Sequence, residues 1–245
     1  MILKTAQRWQ YIALNPCDLV TPPKSKKQEA AYLDEVQTAQ LLQALEGEPI
    51  KPATMVKLLI FSGLRRGELC GLFWEDVDFQ KKLVTVKRTS QYLPGKGIFD
   101  KETKTDASKR TIKLPDMAFE VLAEYRKWQN EQRFKLGHRW ENTGRIFCDD
   151  YGKAISPDFI SQWFSKFVRR KGLPDIHIHS LRHTNATLLI ASGVPLRTVS
   201  SRLGHTMTST TANIYSHAIQ SADEAAADTL QDILNPVKKK KPGTA

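Results

Sequence analysis

Between His179 and Tyr215 the chain sets polar residues into otherwise apolar, helix-like stretches: His179-Ser180-Leu181-Arg182, then Leu203-Gly204-His205, then a lone tyrosine ten positions on. Upstream lie Gly63-Leu64-Arg65-Arg66-Gly67-Glu68-Leu69 and, in a polar hairpin-like segment, Lys104. Residues 179 and 182 differ by three, so on a helix they share one face about 5–6 Å apart at Cβ and can reach the same phosphate. A guanidinium is a planar fork that meets two phosphate oxygens at once, and two forks, Arg65 and Arg182, suit the non-bridging oxygens as a pentavalent transition state gathers charge. Lysine in either place would lose the bidentate geometry. A tyrosine hydroxyl, with a free pKa of about 10, becomes a useful nucleophile only when cations and a histidine lower that pKa or take its proton. The set therefore predicts phosphoryl transfer to Tyr215. Two arginines leave no need for a divalent ion, and the sequence offers no clustered carboxylates to hold one, so neither a metal nor a cofactor is expected.

Each residue also has a plainer reading. Arg65 beside Glu68 and Glu75 could be an ion-pair partner, and Lys104 sits among other charges in Lys101–Arg110 as a solvated turn lysine would. His179 and His183 stand at i, i+4 as in zinc helices, but residue 180 is serine rather than the glutamate of that motif, and no Cys or acidic ligand is spaced to join them. Arg66 reads as a surface charge or a phosphate-backbone contact.

Taken in order, Arg65, Lys104, His179-x-x-Arg182, His205 and Tyr215 resemble the catalytic set of the tyrosine recombinases, or phage-type integrases, over roughly residues 32–220. The family's Lys-Thr followed by Ser-x-Arg fits Lys104-Thr105 with Ser108 and Arg110, and so selects Lys104 over Lys101. The resemblance implies a site-specific recombinase or integrase of a phage or mobile element. Tyr215 would attack the scissile phosphate to leave a 3′-phosphotyrosine and a free 5′-hydroxyl, with His179 as base, Lys104 as acid and His205 on the phosphate. Rejoining would need neither metal nor ATP. The implied partners are double-stranded DNA at an attachment site, a homo-tetramer on synapsed DNA and a directionality factor. His183 becomes a packing helper. Two alternatives stay open, a noncatalytic DNA-binding regulator and a type IB topoisomerase-like enzyme.

The elements that must position these residues are mostly helical. Apolar stripes predict helices over 34–46 (with Asp34 as N-cap), 52–62 and 66–74, and later over 115–137 and from Pro157 to about Lys171. Leu83–Arg88 and Arg110–Leu114 are β-like, and the Gly95/Gly97 segment between them suggests a middle strand. Ile146-Phe147-Cys148 is a short extended stretch. Ser180–Ser192 predicts one helix, Gly193 a turn, Pro195 the start of a second helix and Gly204 its left-handed cap. A helix from about Ser209 would carry Tyr215, and Ala222–Leu234 would form a last one. These lengths resemble helix-turn-helix, which keeps the DNA-reading module in view. The fold class is thus mainly α with a small three-stranded antiparallel sheet, and the resemblance makes it the tyrosine recombinase catalytic fold.

Residues 1–15 read as a short amphipathic helix ended by Asn15-Pro16, and Pro22–Lys27 as a Pro- and Lys-rich linker. With the resemblance, the expected organisation is 1–20 as the end of a core-binding domain, 21–31 as linker and 32–220 as catalytic domain. A C-terminal helix over 221–235, docking in cis or in trans, and a disordered basic tail over 236–245 would follow. Trp74, Trp128 and Trp163 suit a helical core better than base stacking, while Trp140 stays open.

Charge agrees with a polyanionic partner. The 245 residues carry 37 Lys and Arg against 26 Asp and Glu, a net +11, and Lys238–Lys241 accounts for four, leaving +7 on the body. Such a surface attracts nucleic acid, and because each phosphate neutralised by Lys or Arg releases counterions, binding should weaken steeply as salt rises. Three widely spaced cysteines form neither a disulfide framework nor a zinc ribbon. With no long apolar run, the expectation is a reduced, cytoplasmic, nucleoid-associated protein in a bacterial or phage-host cell, with no membrane partner.

Overall fold

The computed structural model describes residues 2–21, 31–102 and 109–204, together with Leu234. Lys104, His205 and Tyr215 lie outside the described residues. So do most of the proposed linker, the helices expected near Ser209 and over Ala222–Leu234 apart from Leu234, and the basic tail.

The frame is helical, and its centre is α3 (Ile50–Ser62), an apolar helix buried around almost its whole circumference. Around it pack α5 (Asp116–Leu136), α6 (Pro157–Lys171) and α7 (Ser180–Ala191). Met55, Val56, Leu58 and Leu59 of α3 meet Leu122 and Tyr125 of α5 and Phe164 and Phe167 of α6 in one core. A smaller core of Ala186, Ile190, Val199 and Leu203 joins α7 to α8 (Leu196–Leu203). The local signals worked as expected. Asp34 caps α2 (Glu35–Ala44) by accepting from the Gln37 N–H at 2.7 Å while the Gln37 side chain accepts from the Asp34 N–H, a capping box. Ser156 and Pro157 start α6, and Gly172, at φ +62°, ends it. Trp74, Trp128 and Trp163 pack against the core.

Three expectations are corrected. The N-terminal helix α1 (Ile2–Arg8) stops well before residue 15; Gln10 takes φ +61°, and Asn15 caps a 3₁₀ turn over Pro16–Leu19. No residue of α1 is buried, so nothing offsets the cost of extending so short a helix. The helix expected over 66–74 is α4 (Arg66–Cys70), because residues 72–74 leave the helical path to pair with 144–146. Ile146 N–H donates to Leu72 O and Trp74 N–H to Gly144 O, both at 3.0 Å.

The third correction concerns the sheet. It is three-stranded and antiparallel, in the order β1 (Val77–Asp78), β2 (Leu83–Val86), β5 (Arg110–Lys113), and β2 pairs directly with β5 through Val84 opposite Ile112. The Gly95/Gly97 segment is no middle strand. It is the turn of a separate ribbon, β3 (Arg88–Leu93) against β4 (Gly97–Glu102). Ser90 is the ribbon's one fully buried position, and its apolar residues Tyr92, Leu93, Ile98 and Phe99 gather near the turn, whereas Val84, Val86 and Ile112 give β2 and β5 a buried face.

Candidate active site

Gly63 ends α3 in the left-handed conformation, φ +66°, and a Cβ there would come within 2.8 Å of Asn185 Oδ1 and Leu203 Cδ2. Glycine is required both by that backbone and by the close approach of α7 and α8. The chain then reverses, and Arg65 stands at the start of α4. Its backbone N–H donates to Glu68 Oε2 at 2.9 Å, and its Nη1 donates to Glu68 Oε1 at 2.8 Å. The plain ion-pair reading of Arg65 is thus realised with Glu68 rather than Glu75. It leaves the arginine side chain 44% exposed at the mouth of a cleft of about 720 Å³.

Glu68 is itself 7% exposed along its side chain and accepts two further bonds, from Arg110 Nη1 at 3.1 Å and Arg110 Nη2 at 2.8 Å. Burial alone would raise its pKa; the Arg110 fork, with Arg65, overcomes this and holds the carboxyl down at about 2. Glu68 therefore stays ionised, a fixed negative anchor between two guanidiniums.

His179 occupies the position before α7, its carbonyl accepting from the Arg182 N–H at 3.1 Å, and its ring lines the same cleft as Arg65. Burial lowers its pKa, and the Arg182, Arg65 and Arg66 charges lower it further, so the imidazole is neutral at pH 7 and able to accept a proton. His183 packs edge-on against it, ring centroids 5.0 Å apart, and is pushed down to about 4 by burial, His179 and Arg182. That is a packing neighbour held neutral. Among the described residues no group of three or more His, Cys, Asp or Glu side chains is gathered as metal ligands would be.

Arg182 follows a different course from the sequence picture of two forks facing one phosphate. It is 2% exposed and lies behind the cleft wall, with Nη1 donating to Gly63 O at 2.8 Å and Nη2 to Leu203 O at 2.6 Å. It joins the end of α3 to the end of α8, where Gly204 takes φ +68° as expected of a left-handed cap. Arg65 and His179 are thus brought to one cleft, and Arg182 backs it. Across it stand Thr89, Ser90, Gln91 and Tyr92 of β3 and Asp158, Ser161 and Ser165 of α6; Arg66 bonds Asp158 at 2.7 Å and Ser161 at 2.9 Å. Sequence reasoning missed the ribbon wall, the hub at Glu68, and Arg202, which donates to Lys113 O and Phe61 O. The nearness of Glu68 to Arg65 and the Ser-x-Arg spacing that includes Arg110 were the signals in the sequence that touch this network.

A mainly helical domain with small antiparallel sheets, carrying arginines and a neutral histidine around a polar cleft, has the fold of a tyrosine recombinase catalytic domain. The chain belongs to the phage integrase family, whose model matches residues 31–221. It is 35% identical over 240 residues to a XerC-like tyrosine recombinase of Caldanaerobacter subterraneus subsp. tengcongensis, covering 91% of this chain and 61% of that protein. It is 26% identical over 234 residues to the ICEBs1 integrase of Bacillus subtilis strain 168, covering 95% and 63%. The chain thus spans less than two thirds of the length of both these relatives. Among solved structures it is similar to the Tn1549 transposon integrase in complex with circular intermediate DNA, with a TM-score of 0.72, 21% identity, and 93% of this chain and 78% of that one covered.

Proposed function

We propose that this chain is the catalytic part of a site-specific DNA recombinase of a phage or mobile element, cleaving and rejoining double-stranded DNA through a 3′-phosphotyrosine. In this reading Tyr215 Oη attacks the scissile phosphorus, its proton passing to neutral His179. The P–O5′ bond breaks, and Lys104 protonates the departing 5′-oxygen. Arg65 stabilises the charge on the non-bridging oxygens, the buried Arg182 adds its positive charge from behind the cleft wall, and His205 is a further donor. The new phosphotyrosine ester keeps the energy of the phosphodiester, so a 5′-hydroxyl can reverse the step without ATP. The observation that carries the reading is the meeting of Arg65 and His179 at one polar cleft, with Arg182 holding Leu203, two residues before His205.

A partner of synapsed DNA held by four copies, with segment 221–235 as the docking element, belongs to the same proposal, as does a directionality factor. The relatives' names and the DNA in the Tn1549 integrase structure support a DNA partner. The test is formation of an SDS-resistant protein–DNA adduct on nicked duplexes from the ends of the encoding element, in EDTA, comparing the wild type with Tyr215→Phe. An adduct lost in the variant establishes a metal-independent tyrosine nucleophile. Salt-sensitive binding without any adduct points to the regulator, and relaxation of supercoils without recombinant products points to the topoisomerase-like enzyme.

A further inference from the structure

Arg110 lies on β5, away from the cleft lining, yet it touches two parts of the site at once. Its Nη1 and Nη2 clasp both oxygens of Glu68, which in turn holds the backbone and guanidinium of Arg65. Its Nε donates to the carbonyl of Arg202 at 2.8 Å, within the last turn of α8. Gly204 is moulded to the same guanidinium: a Cβ there would lie 2.9 Å from Arg110 Nη1 and 3.1 Å from its Cζ. Three elements distant in sequence, β5, α4 and the end of α8, meet on one side chain that is 8% exposed.

Resting on the recombinase reading above, we infer that Arg110 is a positioning residue, which aims the Arg65 guanidinium through Glu68 while fixing the Arg202–Gly204 turn beside it. The chemistry favours arginine over lysine. Only a guanidinium offers two parallel donors to a carboxylate and a third at Nε for a carbonyl, all in one plane. Lysine could keep the charge near Glu68 but not the three simultaneous bonds. Without the Arg110 clasp, the Glu68 carboxylate is free to turn, and Arg65 turns with it.

The test separates positioning from simple support of the fold. Replacing one non-bridging oxygen of the scissile phosphate by methyl removes the negative charge that Arg65 would meet, so the reaction no longer depends on how Arg65 is aimed. Adduct formation by the whole chain is measured in single turnover on phosphodiester and methylphosphonate versions of the same nicked duplex, for wild type, Arg110→Lys and Glu68→Gln. The expected result is a loss of about tenfold or more on the phosphodiester and less than about threefold on the methylphosphonate, as for Arg65→Ala, with duplex affinity unchanged. The ratio of the two rates is independent of the fraction of folded protein, so a partly unfolded variant still reports. Equal losses on both substrates would reduce Arg110 to support of the fold and overturn the inference, as would wild-type rates in both variants. A wild-type chain that forms no adduct on either duplex removes the recombinase reading and the inference with it.

Discussion

The buried guanidinium of Arg182 donates to the carbonyl of Leu203 at 2.6 Å, from a residue in the first turn of α7 to the last residue of α8. With its second bond to Gly63 O, this arginine clamps two helix ends whose carbonyls have no partner inside their own helices. Arg65, half-exposed and held by one carboxylate, has no such duty. Arg182→Ala should therefore cost about 3 kcal/mol of stability, because it strands buried carbonyls, while Arg65→Ala should cost less than about 1 kcal/mol. Urea unfolding of the two variants checks this, and equal losses would contradict the division of labour.

Acid should destabilise the fold in two successive windows. The pKa of His183 is about 4 in the folded chain against an ordinary 6.5, so below pH 6.5 the unfolded chain takes up a proton that the folded one refuses, and stability falls down to about pH 4. Glu68 is held at about 2 against an ordinary 4.5, so its contribution is complete above pH 4.5 and is lost as pH falls toward 2. Each group accounts for about 3 kcal/mol at most. Thermal melts against pH should show a smaller loss in the upper window for His183→Asn, where His179 with its lowered pKa still contributes, and no loss in the lower window from this carboxyl in Glu68→Gln.

With His179 as the base of the proposed reaction, its lowered pKa predicts the pH dependence of cleavage. A base is active only when unprotonated, so the acid limit of the second-order rate of adduct formation, which reports the free protein, should fall below pH 6.5. A midpoint at or above 6.5 would count against His179 as the base. His179→Gln should lower the rate by about 10²–10⁴-fold.

Two left-handed glycines differ in what surrounds them. Gly193 (φ +79°) has open space where a Cβ would go, and Gly204 (φ +68°) has the Arg110 guanidinium. Gly193→Ala should cost only the conformational strain, roughly 1–2 kcal/mol. Gly204→Ala should add a steric cost of about 1–3 kcal/mol and slow adduct formation, since it displaces Arg110. Stability measurements on the pair isolate the clash.

The cysteines should divide sharply in reactivity. Cys17 is exposed, while burial pushes the Cys70 thiol up to about 12 and raises Cys148 as well, so the native chain holds few thiolates at the last two. Intact-mass spectrometry after brief treatment with a maleimide at pH 7 should find a single label, and peptide mapping should place it on Cys17. Labelling of Cys70 before unfolding would show that the α4 region opens.

The sequence alone determined the helices whose caps are written into it. Asp34, Pro157, and Pro195 with Gly204 mark their own boundaries, because capping depends on residues within one turn of each other. It also supplied the pairing of Arg65 with Glu68 as one alternative, since those residues stand a turn apart. Tertiary structure decided what local signals cannot carry. The two-residue β1 is too short for any periodicity to reveal, and β3 pairs with β4 in a ribbon separate from the sheet, a long-range choice of partner that no local pattern carries. Arg182 reads in sequence like a second phosphate fork. Its donors were assigned to Gly63 and Leu203 by the packing of α3, α7 and α8, across 119 and 21 positions of chain. Arg110 acquired its place in the same way, because buried carbonyls and a buried carboxylate must find donors wherever the fold brings them close.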